Sequence, residues 1–234
     1  MSDKKYFSMQ NNTTFDAVIF GSSGLTGSFL LSELEKSPEY ATILSIGRNK
    51  GDHAIEKVTQ LSLDEIDLNK KYPDIHIDKC FICLGTTIKK AGSKEKFEYV
   101  DFTLVVRAAA FAHMHGAKKL YVISAIGADE KSPWFYSKVK GKAETALCEI
   151  PFEEIHIFRP SLLLGNRNEK RTGESLAIKI YQMAEPFLAG LLNTYRPIPA
   201  WQLAKGMLKC SVLPPSKKSP VIYHYKEIKH LLNS

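Results

Sequence analysis

Val18-Ile19-Phe20-Gly21-Ser22-Ser23-Gly24-Leu25-Thr26-Gly27 runs an apolar, β-branched segment into three glycines at G-x-x-G-x-x-G spacing, and Phe29-Leu30-Leu31 continues with helical spacing through Leu34. This pattern predicts a strand, a tight turn and a helix. The backbone amides of such a turn and the positive end of the helix macrodipole converge on one point and suit a phosphate there. Glycine admits φ > 0 and lets a ligand approach where a Cβ would obstruct it. Placed after a first strand and ahead of a first helix, Gly21, Gly24 and Gly27 have the context that a dinucleotide-binding turn requires.

Working outward, apolar strand segments at 15–20, 41–46, 55–61, 79–84, 120–124, 155–158 and 221–225 alternate with helical segments at 25–36, 93–115, 134–149, 174–192, 201–212 and 226–232. The long 93–115 segment carries Phe97, Val100, Leu104, Ala108 and Phe111 on one stripe. Buried strands alternating with helices predict an α/β fold, a doubly wound parallel sheet. Residues 15–234 read as one such domain, with a small C-terminal cap over about 165–220 laid across the carboxyl edge of the sheet, where ligands bind.

The chain's 234 residues suffice for a full core without staples, and 44% hydrophobic with 24% charged residues is the balance of an ordinary globule. No apolar run reaches the ~18–20 residues of a membrane span. Residues 1–14 are polar, without the apolar centre of a secretory signal, and are expected to form a mobile tail. Cys80, Cys83, Cys148 and Cys210 are too few and scattered for a disulfide framework, which points to a reducing, cytoplasmic location. The net charge of +7 is spread along the chain and suits a polyanionic cofactor or an acidic substrate. Without an aromatic-interleaved basic stripe, nucleic acid is not an expected partner.

The second strand ends Ser45-Ile46-Gly47-Arg48-Asn49-Lys50. A free ribose 2′-hydroxyl is usually met here by an acidic residue and a 2′-phosphate by arginine. No acid lies between Tyr40 and Lys50, and Arg48 offers a guanidinium fork, so the sequence leans towards NADP over NAD. The competing reading of Arg48 is a solvated loop side chain. Further on, Tyr136 and Lys140 are four apart and share a helix face. A free phenol has a pKa of ~10, and an ammonium beside it is expected to lower that by ~1–3 units, towards general acid–base work. Ser124 ends the preceding strand twelve residues before Tyr136 and is expected to hold a substrate oxygen.

Together these features resemble the short-chain dehydrogenase/reductase superfamily in its atypical, short branch, and within it the Tat-interacting-protein oxidoreductase group with its bacterial members. The resemblance covers nearly all the chain after the tail. It rests on Ile19 to Gly27, Ile46-Gly47-Arg48, Cys83-Leu84-Gly85-Thr86-Thr87, Lys90-Ala91-Gly92, Ser124 with Gly127-Ala128-Asp129, Tyr136 with Val139-Lys140-Gly141, and Phe158-Arg159-Pro160 with Leu162-Leu163-Leu164. It implies an NAD(P)-binding Rossmann fold holding NADP(H). Ser23, Gly24, Leu25 and Thr26 would line the phosphate turn, Arg48 and Asn49 the adenosine end, and Leu84, Gly85 and Thr86 the flank of the cofactor. Tyr136 would transfer the proton, Lys140 would hold the nicotinamide ribose, and Leu163 and Arg171 would close over the cofactor. Two positions depart from the pattern: Asp101 stands where a relay asparagine is expected, and Ser124 is followed by Ala125 where a second serine is common.

The expected function is an NADP(H)-dependent oxidoreductase passing hydride to or from a small carbonyl or alcohol substrate. The alternative is an NADP(H)-binding redox sensor that regulates a protein partner with little or no catalysis, a reading the two departures favour. The carboxyl-terminal segment looks too small for a nucleotide sugar, which disfavours an epimerase. A monomer or homodimer is expected. Cys80-Phe81-Ile82-Cys83 reads as core packing, because i and i+3 of a strand face opposite ways. His113 and His115 diverge on a helix, so no metal site is expected.

Overall fold

The computed structural model describes residues 13–48, 56–165, 195–216 and 218–233. Seven strands form one sheet: β1 (Thr13–Phe20), β2 (Ile43–Gly47), β3 (Val58–Ser62), β4 (Ile75–Ile82), β5 (Lys119–Ile123), β6 (Glu154–Phe158) and β9 (Val221–Tyr223). Their order is β3-β2-β1-β4-β5-β6-β9 and every pairing is parallel. β7 (Leu163–Leu164) and β8 (Ile198–Pro199) pair separately, also in parallel. The helices are α1 (Leu25–Lys36), α2 (Ile88–Ala91), α3 (Lys94–Glu98), α4 (Leu104–Met114), α5 (Phe135–Cys148), α6 (Ala200–Ser211) and α7 (Tyr225–Asn233).

Both faces of the sheet are covered, as a parallel sheet requires. On one face Phe20, Cys80, Ile82 and Val122 pack with Val105, Ala108 and Phe111 of α4. On the other, Ala17, Ile19, Phe81 and Tyr121 pack with Leu30 and Leu34 of α1 and Leu203, Met207 and Cys210 of α6. Cys80 and Cys83 therefore belong to opposite faces, as the strand period demands. β1 lies between β2 and β4, and the strand order reverses there. The register sets Phe20 opposite Ile82, so the segments that leave β1 and β4 emerge level at this switch point, where open α/β sheets bind their ligands.

Several boundaries differ from expectation for physical reasons. Thr13 and Thr14, expected in the tail, open β1: the Thr13 amide donates to the Asp74 carbonyl at 2.8 Å. β4 starts at Ile75 rather than 79, because buried Ile75 and Ile77 alternate with exposed His76 and Asp78 before the strand becomes buried on both sides. The 93–115 helix is one path in three parts: α3, a π-helical turn at Tyr99–Thr103, then α4. α6, expected within the cap, instead covers the sheet face beside α1, and Ser211 on it meets the Tyr40 hydroxyl at 2.6 Å. The expected helix at 174–192 lies outside the described residues.

Candidate active site

The glycine turn is built by steric fit. Gly21 follows β1 with φ +85°, and a Cβ there would stand 2.8 Å from the Cys83 carbonyl oxygen. A Cβ on Gly27 would lie 2.1 Å from the Gly21 carbonyl oxygen, so only glycine lets α1 start this close to the strand end. The Gly24 amide donates to the Gly21 carbonyl at 3.0 Å and closes the turn. Gly24 is also the N-cap of α1, and no side chain among the described residues caps that helix. First-turn amides without a side-chain cap, at the positive end of the dipole, are suited to an anion. Leu25 and Thr26 stand in that first turn, Ser23 is exposed just ahead of it, and Ser22 ties the turn to β2 through a 2.8 Å hydroxyl contact with Ser45. Arg48 is exposed immediately beyond β2. Asn49 and Arg171 lie outside the described residues.

Leu84, Gly85 and Thr86 leave the carboxyl end of β4, and Ser124 leaves that of β5. The space at Gly85 is narrow: a Cβ on it would lie 3.4 Å from Asp101 Oδ1 and 3.8 Å from Lys140 Nζ. Tyr136 and Lys140 occupy the first two turns of α5. Lys140 is buried, and its Nζ lies 2.7 Å from Asp101 Oδ1, a charge contact made off the hydrogen-bond direction. The Thr86 amide donates to Asp101 Oδ2 at 2.9 Å. The Tyr136 ring tilts against Phe97 with centroids 5.6 Å apart, and the residue stays 40% exposed. Leu163 packs against the α1-side core, and a Cβ on Gly165, just beyond it, would press Leu25 at 2.7 Å. The segment after β6 therefore lies on the glycine turn.

The phenol of Tyr136 is pushed above its ordinary range, not below it. Loss of hydration is the largest cause, the Lys140 ammonium works against it, and the Asp101 carboxylate adds to it. The expected lowering is corrected on this ground: burial outweighs Lys140, whose charge a carboxylate 2.7 Å away offsets. Burial likewise pushes the Cys83 thiol up to about 12, which leaves little thiolate. A cavity of about 180 Å³ opens beside β3, lined by Leu63, Ile66, Leu68, Tyr99, Leu104 and Arg107; none of the predicted site residues lines it.

Sequence reasoning marks Asp101 only as a departure and misses what it holds. A signal is present: Asp101 is four residues after Phe97 and three before Leu104, a carboxylate on an otherwise apolar stripe. The supports of α5 are missed as well. A Cβ on Gly141 would come within 2.1 Å of the Glu130 backbone, so the helix rests directly on the 129–130 loop. One turn beyond Lys140, Glu144 accepts a two-pronged ion pair from Arg159, with Nε to Oε1 at 2.9 Å.

The profile of the NAD dependent epimerase/dehydratase family matches residues 17–146, more than half the chain. The chain belongs to this family. It is 34% identical to the rat protein HTATIP2 over 230 residues, 96% of this chain and 91% of that protein. It is 33% identical over 194 residues to the Candida albicans protein FMP52, mitochondrial, covering 80% of this chain and 83% of that one. Among solved structures, the human epimerase family protein SDR39U1 with NADPH superposes with a TM-score of 0.58 at 14% identity, over 85% of this chain and 70% of that one. That likeness concerns the fold alone.

Membership of the epimerase/dehydratase family implies a nicotinamide dinucleotide, and the residues present fit one. Gly21, Gly24 and Gly27 let backbone pack on backbone, which brings the start of α1 up to the end of β1. Thr26 Oγ1 and Ser124 Oγ are buried without a hydrogen-bond partner among the described residues, one at the turn and one at the end of β5. Orphaned hydroxyls at both ends of a site on the switch point are what a ligand's polar atoms would satisfy.

Proposed function

We propose that the chain is an NADP(H)-dependent oxidoreductase acting on a small carbonyl or alcohol substrate. The observation that carries this reading is the convergence of the uncapped glycine turn with Ser124, Tyr136 and Lys140 on one edge of the sheet. When bound, the nicotinamide supplies or accepts the hydride. The turn from Gly21 to Gly27, with Ser23, Leu25 and Thr26, would seat the pyrophosphate, and Arg48 would meet the 2′-phosphate through a charge-assisted fork. Leu84, Gly85 and Thr86 would flank the dinucleotide, and Leu163 would support the turn from behind. An ammonium has three donors. Lys140 meets Asp101 off the hydrogen-bond direction, so its donors would be kept for ribose hydroxyls. Ser124 Oγ would donate to the substrate oxygen, and the Tyr136 hydroxyl would exchange the proton there.

The test is turnover of NADPH with a panel of small aldehydes and ketones, with nucleotide sugars included because the family name covers epimerases. Carbonyl-dependent oxidation of NADPH that disappears in Tyr136→Phe supports the reading. Turnover that survives that change, or turnover of nucleotide sugars alone, overturns it.

One observation favours a second reading. Asp101 in place of a relay asparagine, buried and paired with Lys140, suits a site that holds cofactor and turns over slowly, an NADP(H)-binding regulator of a protein partner. Tight NADPH binding, no turnover on any carbonyl and cofactor-dependent capture of a partner would select it. All four thiols are free, which suits a reducing compartment. The cytoplasm is the location proposed here, and fractionation of the tagged chain separates it from the mitochondrion named for the Candida relative.

A further inference from the structure

Asp101 is the most unusual side chain of the site. It is a carboxylate 1% exposed, on the only π-helical turn among the described residues, and it grips two elements at once. Oδ2 takes the Thr86 amide of the segment leaving β4 at 2.9 Å, and Oδ1 lies 2.7 Å from the Lys140 ammonium on α5. A π turn inserts a residue into a helix and re-aims the side chains around it, and such turns frequently occur at functional sites. Here the inserted turn brings Asp101 to Lys140, while Phe97, one helical turn earlier, packs on the Tyr136 ring.

We propose that Asp101 is a positioning residue that offsets the charge of Lys140 and so carries the protonated state of the Tyr136 phenol further into the alkaline range, making the site a proton donor for carbonyl reduction. This rests on the oxidoreductase reading and adds the pH range and the working direction. In reduction the carbonyl carbon takes hydride from NADPH, the carbonyl π pair moves to oxygen, and that oxygen takes the phenol proton, leaving a tyrosinate and NADP⁺. Alcohol oxidation needs the tyrosinate first. A phenol held protonated therefore serves reduction at neutral pH and confines oxidation to alkaline pH, with the equilibrium between the two untouched. Asp101 acts through Lys140, and its second contact sets the height of the Leu84-Gly85-Thr86 segment.

Several charged groups on the elements packed around Asp101 meet partners elsewhere. On α5, Lys142 faces Glu98 of α3 at 3.5 Å, and both are well exposed. Lys94 of α3 lies over the Phe135 ring at 5.3 Å. Arg107 of α4 faces Asp67 at 3.9 Å. Lys140 is the cation that meets Asp101.

The experiment is a pH titration of the cofactor-free protein with ¹³C-ring-labelled tyrosine, followed by NMR and assigned with Tyr136→Phe. In the wild-type protein Tyr136 is expected to titrate above the ordinary tyrosine midpoint. In Asp101→Asn the midpoint should fall by about one pH unit, and the alkaline fall-off of carbonyl reduction should move down with it. A wild-type midpoint at or below the ordinary value overturns the proposal, and does so even where Asp101→Asn fails to fold. An unmoved midpoint in a folded Asp101→Asn also overturns it. Because the titration needs neither substrate nor turnover, its failure is distinct from failure of the oxidoreductase reading: a shifted phenol in a protein without carbonyl turnover leaves the Asp101 charge balance standing and sinks that reading together with the working direction drawn from it.

Discussion

The glycine turn and the proposed proton-transfer centre sit on the same edge of the sheet and are made in different ways. The turn is backbone: Gly21 at φ +85°, a closing amide at 3.0 Å, and clearances that only hydrogen fills. Its chemistry follows from the path of one short segment. The centre is assembled from four segments, with the side chains of Ser124 after β5, Tyr136 and Lys140 on α5 and Asp101 on the π turn, and the Thr86 amide after β4. Its chemistry depends on which charges meet, and a partner far along the chain joins burial in reversing the sign that the local pair suggests. Steric sites travel with their motif, whereas electrostatic ones are set by the assembly.

The changes that strain this contrast most should act at the centre. Tyr136→Phe is expected to cut carbonyl reduction by about 10²–10⁴-fold, the range for a positioned acid, while NADPH affinity stays within a few-fold. Steady-state kinetics with a binding titration check both halves, and a matching loss of affinity would mean that the two regions are not separable. Next comes the turn. Gly21→Ala adds a left-handed backbone cost to a 2.8 Å clash with the Cys83 carbonyl, together about 2–5 kcal/mol, taken from cofactor affinity and stability alike. Gly92→Ala is its control. Gly92 has φ +83° and open space within 4 Å of where a Cβ would stand, so the change should cost only about 1 kcal/mol, read by chemical denaturation. Equal losses at the two glycines would refute the steric account of the turn.

Arg48→Ala sharpens the comparison from the cofactor's side. It should weaken NADPH more than NADH by about 1.5–3 kcal/mol, the worth of charge-assisted contacts. Equal weakening would show that Arg48 does not read the phosphate.

The smallest effect separates the site from the fold. His115 accepts the Tyr72 amide at Nε2 (2.9 Å), with Nδ1 2.7 Å from the Phe111 carbonyl, so it folds as the neutral ring. Burial depresses its affinity for a proton, as it does for His156. As the pH drops below the ordinary histidine value the unfolded chain takes up protons that the folded chain resists, so stability falls. The Tm should decline by roughly a few degrees between pH 7 and 5, as a few tenths to one kcal/mol would require. A flat Tm would show that these rings protonate freely in place.

Much of the turn is legible in the sequence because its residues are contiguous. Strand, glycine spacing and helix follow from a dozen letters, and the level exit of β1 and β4 adds little that Gly21 and Gly85 do not announce. The residues of the centre can also be named, but not their charge balance. Tyr136 and Lys140 share a helix face, which suggests a lowered phenol; Asp101, on another element far earlier in the chain, offsets the lysine. The cap reading fails at α6 because an amphipathic helix near the end of the chain says nothing of which apolar face it will find. Here it finds the sheet beside α1. The early start of β4 is hidden because a strand end covered on one side alternates and lacks the continuous apolar run that marks the rest.

The central claim is that the turn seats a phosphorylated nicotinamide dinucleotide beside Tyr136. Isothermal titration calorimetry of the cofactor-free protein measures it directly. Saturable heat with NADPH, tighter than with NADH and unchanged in Tyr136→Phe, is the predicted result. No heat with NADPH or NADH, in either redox state, would contradict it.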